Sequence, residues 1–208
     1  MLRTTKKNSI RQEVVAKIVI KEIERMSLVE TDQSVIDQTR TWINKVVIGC
    51  NFCPFASKVM KQGGIHFEVV RDGDIKELLE RLATEIKRLD QDASIETTLI
   101  ILPDLFPSFY DYLDMIVICE KTLRKRGKEG IYQVASFHPS YIFADSQADD
   151  PANYTNRSPY PMIHLLREDS ITNALKNFPD PGNIPERNID FARKKGLAYM
   201  QVLRDACF

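Results

Sequence analysis

The sequence predicts an α/β fold with a mostly parallel sheet of three to four strands, flanked by helices and followed, after its third strand, by a long ordered loop. Two observations carry that expectation. Runs rich in β-branched and aromatic residues at 65–71, 97–102 and 131–137 alternate with stretches at 74–89 and 108–126 whose apolar residues recur at helical spacing. Two successive strand-helix-strand units imply right-handed crossovers between parallel strands, with a site outside the strands' carboxyl ends. The second run, Thr97-Thr98-Leu99-Ile100-Ile101-Leu102, ends at Pro103 and has the near-continuous apolar character of a strand covered on both faces.

Taken in order, residues 8–30 place Ile10, Val14, Ile18 and Met26 on one stripe and basic residues elsewhere, an amphipathic helix suited to packing or to forming a homo-oligomer. Glu13, Glu22 and Glu24 argue against a transit peptide. We take 1–33 as an N-terminal helical extension and 34–208 as a single α/β domain. Ser34 with Asp37 has the spacing of a capping box for a helix running to Ile48, with Trp42, Val46 and Val47 inward and Gly49 ending it through a left-handed cap. Pro54 suits the first position of a short helix reaching Lys61, which sets Cys53 at or near its N-cap.

Leu78, Leu82, Ile86 and Leu89 mark the clearest helix, and Ser108 with Asp111 caps the next. Beyond the loop, residues 160–167 read as a fourth strand, antiparallel at an edge, or as the entry to a helix. Helices follow over 170–178 and 184–195, and Gly196 precedes a tail.

The 29 basic and 29 acidic residues cancel, a balance that does not favour nucleic acid. No run approaches the roughly 18 apolar residues of a membrane span, and the start lacks a signal peptide. The expectation is a cytoplasmic protein whose Cys50, Cys53, Cys119 and Cys207 stay reduced. Gly-rich phosphate loops and metal-protease helices are absent, so no cofactor is implied.

Candidate chemistry gathers in the 137–168 loop, which is poor in Gly and rich in Tyr, Asn, Arg and His. An enzyme reading takes Cys53 as a nucleophile activated by a helix N-terminus and His138 as its base. Asn153, Asn156, Arg157, Tyr160, His164 and Glu168 would then hold a small anionic molecule, with the Arg157 guanidinium as a fork for carboxylate or phosphate. A metal reading combines Cys53, His138 and His164 with Asp149 or Asp150, but their spacing is not that of a metal site, and no stoichiometric zinc is expected. The loop also suits a non-catalytic surface for a protein partner. Against all of these stands a plain alternative: Cys53 is a small buried side chain, and the loop's polar groups satisfy its own backbone.

Cys53-Pro54-Phe55-Ala56, Val134-Ala135-Ser136-Phe137-His138-Pro139 and Asn153-Tyr154-Thr155-Asn156-Arg157-Ser158-Pro159-Tyr160-Pro161 resemble the signatures of a bacterial family, the domain of unknown function 1415. His164-Leu165-Leu166-Arg167-Glu168 and Glu186-Arg187-Asn188 extend the resemblance to roughly 34–196. It implies no particular activity, substrate or cofactor. Family members commonly carry an aliphatic residue where this chain has Cys50, so the resemblance does not extend to a Cys50-x-x-Cys53 redox pair.

Overall fold

The computed structural model describes residues 31–176 and 178–208. The helix expected over 8–30, and any oligomer it forms, lie outside them. Val35–Phe208 forms one compact unit.

Helix α1, Asp32–Trp42, opens earlier than expected, because Thr31 and not Ser34 supplies the cap: its Oγ1 accepts the Ser34 N–H at 3.1 Å. The helix passes into a π-helical segment, Ile43–Ile48. Gly49 closes it at a right-handed φ of −61°, not in the expected left-handed cap. Its need for glycine is steric, since a Cβ there would lie 2.2 Å from the Lys45 carbonyl oxygen. Helix α2, Ala56–Lys61, starts two residues after Pro54. Strand β1 is Ile65–Val69, α3 is Ile75–Gln91, β2 is Thr97–Ile101, α4 is Phe109–Lys125 and β3 is Tyr132–Phe137. Asp74 and Glu77 form a capping box on α3, while Ser108 caps α4 as its sequence predicts.

The loop after β3 contains a 3-10 turn, Pro151–Thr155, and leads into β4, Met162–Arg167. Helices α5, Glu168–Leu175, α6, Ile184–Lys195, and α7, Leu197–Asp205, complete the chain. The stretch after Gly196 is therefore helical and not a tail, with Met200 buried beneath it.

The four strands stand in the order β1-β2-β4-β3. Only β1 and β2 pair in parallel; β4 pairs antiparallel with β2 on one side and with β3 on the other. The expected mostly parallel sheet is thus a mixed one, and β4 is central where an edge position is predicted. The physical reason lies in the composition of β4. Met162, Ile163 and Leu165 are all fully buried, which requires neighbours on both sides and cover on both faces.

Alternation along the strands sends Ile100, Leu102, Ile163 and Leu165 to a core under α3 and α4, where Leu82, Leu89, Tyr112 and Met115 meet them. Leu99, Ile101 and Met162 face a second core under α1, α6 and α7, with Trp42, Val46 and Met200. Each wholly buried aliphatic side chain, such as Leu82 or Ile100, stabilises the fold by about 1.5–3 kcal/mol.

Tyr112 closes the β3–β4 ladder at its open end. Its buried hydroxyl donates to the Met162 carbonyl at 2.6 Å and accepts the Phe137 N–H at 2.9 Å. Tyr112→Phe leaves both backbone groups unsatisfied and is expected to cost about 1–3 kcal/mol. Chemical denaturation with an unchanged m-value checks it.

Candidate functional site

The carboxyl ends of β2 and β3 and the start of β4 border a cleft of about 310 Å³. The 103–107 turn forms one wall, 138–140 a second and 159–161 a third. Five prolines line it, Pro103, Pro107, Pro139, Pro159 and Pro161. They fix the backbone and remove N–H donors, so the walls are rigid and largely apolar, and the carbonyls of Phe106, His138, Tyr160 and Pro161 are already bonded within the protein. Asp104 is the charged lining residue, and its carboxylate meets Arg71 at 2.8 Å.

His138 is part of this wall and is 1% exposed. Its Nε2–H donates to the Phe106 carbonyl at 2.9 Å, and its Nδ1 accepts the Ser140 N–H at 3.0 Å, an arrangement that defines the neutral tautomer. Phe109 and Tyr112 pack their rings against it at 5.3 and 5.1 Å between centroids. Phe106, at a φ of 55°, occupies a conformation that bulky residues rarely adopt. The bond from His138 to its carbonyl helps to hold it there.

Both imidazole nitrogens are occupied by backbone, so His138 has no free lone pair with which to take a proton. Cys53 is elsewhere. Its turn follows Cys50 and Phe52 of the core under α1, α6 and α7, whereas the His138 ring packs against residues of the core under α3 and α4. Cys53 is not among the residues that line the cleft beside His138. Burial pushes the Cys53 thiol up, outweighing the Phe55 and Ala56 N–H groups that lower it. All four cysteines are free.

Two residues that sequence reasoning did not assign a role hold the Cys53 turn. Arg187 donates to the Asn51 carbonyl at 2.6 Å and Asn188 to that of Phe52 at 2.7 Å. Asn51 adopts a φ of 56°, so the Arg187 bond secures a left-handed turn. The signal was present, since Glu186-Arg187-Asn188 is one of the matched motifs, but nothing in it names the distant carbonyls.

The loop's polar residues largely satisfy one another. Asn153, fully buried, accepts from Phe143 N–H and Ser146 Oγ and donates to the Gln147 carbonyl. Asn156 donates to the Ser136 carbonyl at 3.2 Å. Arg157 donates to the carbonyls of Tyr141 at 3.0 Å and Ala148 at 2.8 Å, and its guanidinium lies 4.7 Å from the centre of the Tyr154 ring. It clamps the loop through backbone oxygens, not through a carboxylate. Asp150 instead pairs with Arg193 at 2.7 Å and caps the 3-10 turn. The Tyr160 hydroxyl donates to Gln38.

His164 and Glu168 diverge from this group. Glu168 opens α5 beyond the far end of β4, with its N–H on the Ile131 carbonyl at 3.0 Å. His164 lies in mid-strand, on the sheet face that carries Phe137, 5.7 Å away between ring centres. The Thr97 hydroxyl donates to the Leu165 carbonyl and so accepts from His164 Nε2 at 2.7 Å. Nδ1 is then a buried acceptor with no partner among the described residues. Burial depresses the His164 pKa to about 4 and lowers that of His138.

An open α/β domain with both sheet faces covered and a cleft at its strand ends is the class these features define. The chain belongs to the DUF1415 family, described as a protein of unknown function, whose model matches residues 34–202. No curated protein and no solved structure matches it.

The two histidines make stability pH-dependent. Each is neutral when folded and has a depressed pKa, so the unfolded chain binds more protons below about pH 6.5. Their contribution is full above that value and is lost as pH falls toward about 4, the folded value for His164. His164→Gln is expected to flatten the melting temperature across this window, measured by calorimetry at stepped pH. The raised Cys53 pKa further predicts alkylation near neutral pH no faster than that of a free thiol, readable by mass spectrometry of the labelled peptide.

Proposed function

We propose that the protein binds a small molecule in the proline-walled cleft, and that the 137–168 loop serves as the frame of that site and not as its reactive surface. The single observation that carries this reading is the preorganised geometry around His138. A buried ring tied at both nitrogens, beside a strained Phe106 and five prolines, gives walls that lose little freedom when a ligand enters.

The lining selects the ligand's chemistry. Arg157 has committed its Nε and one terminal nitrogen to loop carbonyls, so it does not support the bidentate anion site its sequence context suggests. The proline and aromatic walls favour a molecule with an apolar body, and the half-exposed Asp104 carboxylate, shared with Arg71, favours a neutral or cationic one over an anion. This replaces the anionic ligand as the preferred class. A Cys53–His138 dyad has no part in it.

No helix among the described residues is long and apolar enough to cross a membrane. The reading puts the protein in the cytoplasm, where free thiols such as Cys50 and Cys53 persist.

Ligand-observed nuclear magnetic resonance with a fragment set divided into anionic, neutral and cationic members tests the proposal. Hits are expected among the neutral and cationic fragments, and Ser140→Trp, which fills the cleft mouth, should abolish them. Asp104→Asn should weaken the cationic ones by roughly 2- to 5-fold, as the loss of one partly exposed ion pair implies. Hits confined to anions and lost in Arg157→Lys would overturn the assignment.

A further inference from the structure

A second polar cluster lies between β1 and α3 and includes none of the residues considered for the cleft. His66 and Glu68 share the β1 face with Val70, which packs into the core under α3 and α4. Glu85 comes from α3, at a position flanked by the buried Leu82, Ile86 and Leu89, and is itself 1% exposed. His66 Nε2 lies 3.4 Å from Glu85 Oε2 and 3.8 Å from Glu68 Oε2, and one ligand atom from each of the three residues falls within 4.8 Å of the others. A tetrahedral zinc ion with bonds of 2.0–2.1 Å separates its ligand atoms by about 3.3 Å, so the two His66 spacings of 3.4 and 3.8 Å need only slight contraction and the carboxylates close on the ion by side-chain rotation.

Two further observations point to a missing partner. The buried His66 Nε2 makes no hydrogen bond among the described residues, although the Glu85 carboxylate faces it at 3.4 Å. Thr98 stands beside His66 in the parallel register of β1 and β2 and on the same sheet face. It is fully buried, and its Oγ1 also has no partner among the described residues. Buried polar atoms are almost always satisfied, and two neighbours left unsatisfied next to a buried carboxylate call for a bound group that serves them.

We propose that His66, Glu68 and Glu85 bind a first-row divalent cation, zinc foremost, with a water in the fourth position that the Thr98 hydroxyl holds. One imidazole and two carboxylates suit zinc better than magnesium or calcium, which take oxygen ligands. A divalent ion with two carboxylates is also neutral as a unit. Arg88, which grips Glu85 at 3.0 and 3.2 Å, and Arg81, 3.5 Å from Glu68, neutralise the carboxylates when the ion is absent. With side chains 39% and 59% exposed, both arginines have solvent to move into as the cation binds. His66 and Glu68, at 26% and 23%, leave an entry path from the β1 edge.

Full-length protein stripped with a chelator and titrated with Co²⁺, then Zn²⁺, gives the test. The expected result is one Co²⁺ per chain with tetrahedral visible bands and no thiolate charge-transfer absorption, displaced by Zn²⁺ with a rise in melting temperature. Glu68→Gln, partly exposed and tolerant of the change, should keep its fold by circular dichroism. It should lose about 100-fold or more in affinity, beyond the usual cost of removing an outer-shell partner. His66→Gln should do the same, and Cys50→Ser should bind as the parent does. Failure of the parent to take up stoichiometric metal, uptake unchanged in both ligand variants, or thiolate bands lost in Cys50→Ser would each overturn the site.

Discussion

The insertion of β4 between β2 and β3 is the constraint on which the rest of the molecule depends. An antiparallel strand entering the middle of a sheet must satisfy backbone groups on both sides, and Met162 to Arg167 does so in register with Thr97 to Leu166 and Phe137 to Met162 pairings at its limits. To reach that slot, the chain must turn back from the end of β3. The loop that achieves this cannot remain slack, because its backbone passes over core and needs partners. Asn153, Asn156 and Arg157 provide them, and the Arg157 carbonyl in turn accepts the Trp42 indole N–H at 3.1 Å, joining the loop to α1. The cleft is what remains where this return path leaves the strand ends uncovered.

Much of the secondary structure was legible because periodicity reports burial directly. The apolar stripe of α3 and the continuous run of β2 both appear where their spacing places them. Strand order was not legible. Alternating strands and helices imply parallel neighbours only if no later strand intervenes, and β4 carries too few residues to announce on which side of β3 it pairs. The boundaries of α1 and α2 moved because a Thr cap and a π segment are decided by backbone closure, to which hydrophobic spacing is blind.

The internal bonding of the loop was legible only in part, for a related reason. Composition singles out a loop that is ordered, since a long segment rich in bulky polar side chains must be ordered by something. It could not separate polar groups that face a ligand from those that face the loop's own carbonyls, and here Arg157 and Asn153 do the second. Cys53 is absent from the cleft that His138 lines, and both ring nitrogens of His138 are taken by backbone, so a catalytic pairing has nothing to build on. Glu85 was visible in principle: an acidic residue three positions after Leu82 and four before Leu89 interrupts an apolar stripe, which solvated glutamates do not.

Among the described residues the β1 strand lies at the edge of the sheet, a position where backbone groups invite another strand. Its own sequence alternates apolar residues, Ile65, Phe67 and Val69, with His66 and Glu68. A foreign strand adding to this edge would have to accommodate the His66, Glu68 and Arg81 group along one side, with the charge of Glu68 at the rim. The ionisable cluster thus gives the molecule a defence against edge-to-edge association, whatever it binds. A chain whose second edge, β3, presents Gln133 and Ser136 has only the milder deterrent of neutral polar groups there, which makes β3 the side more open to misassembly.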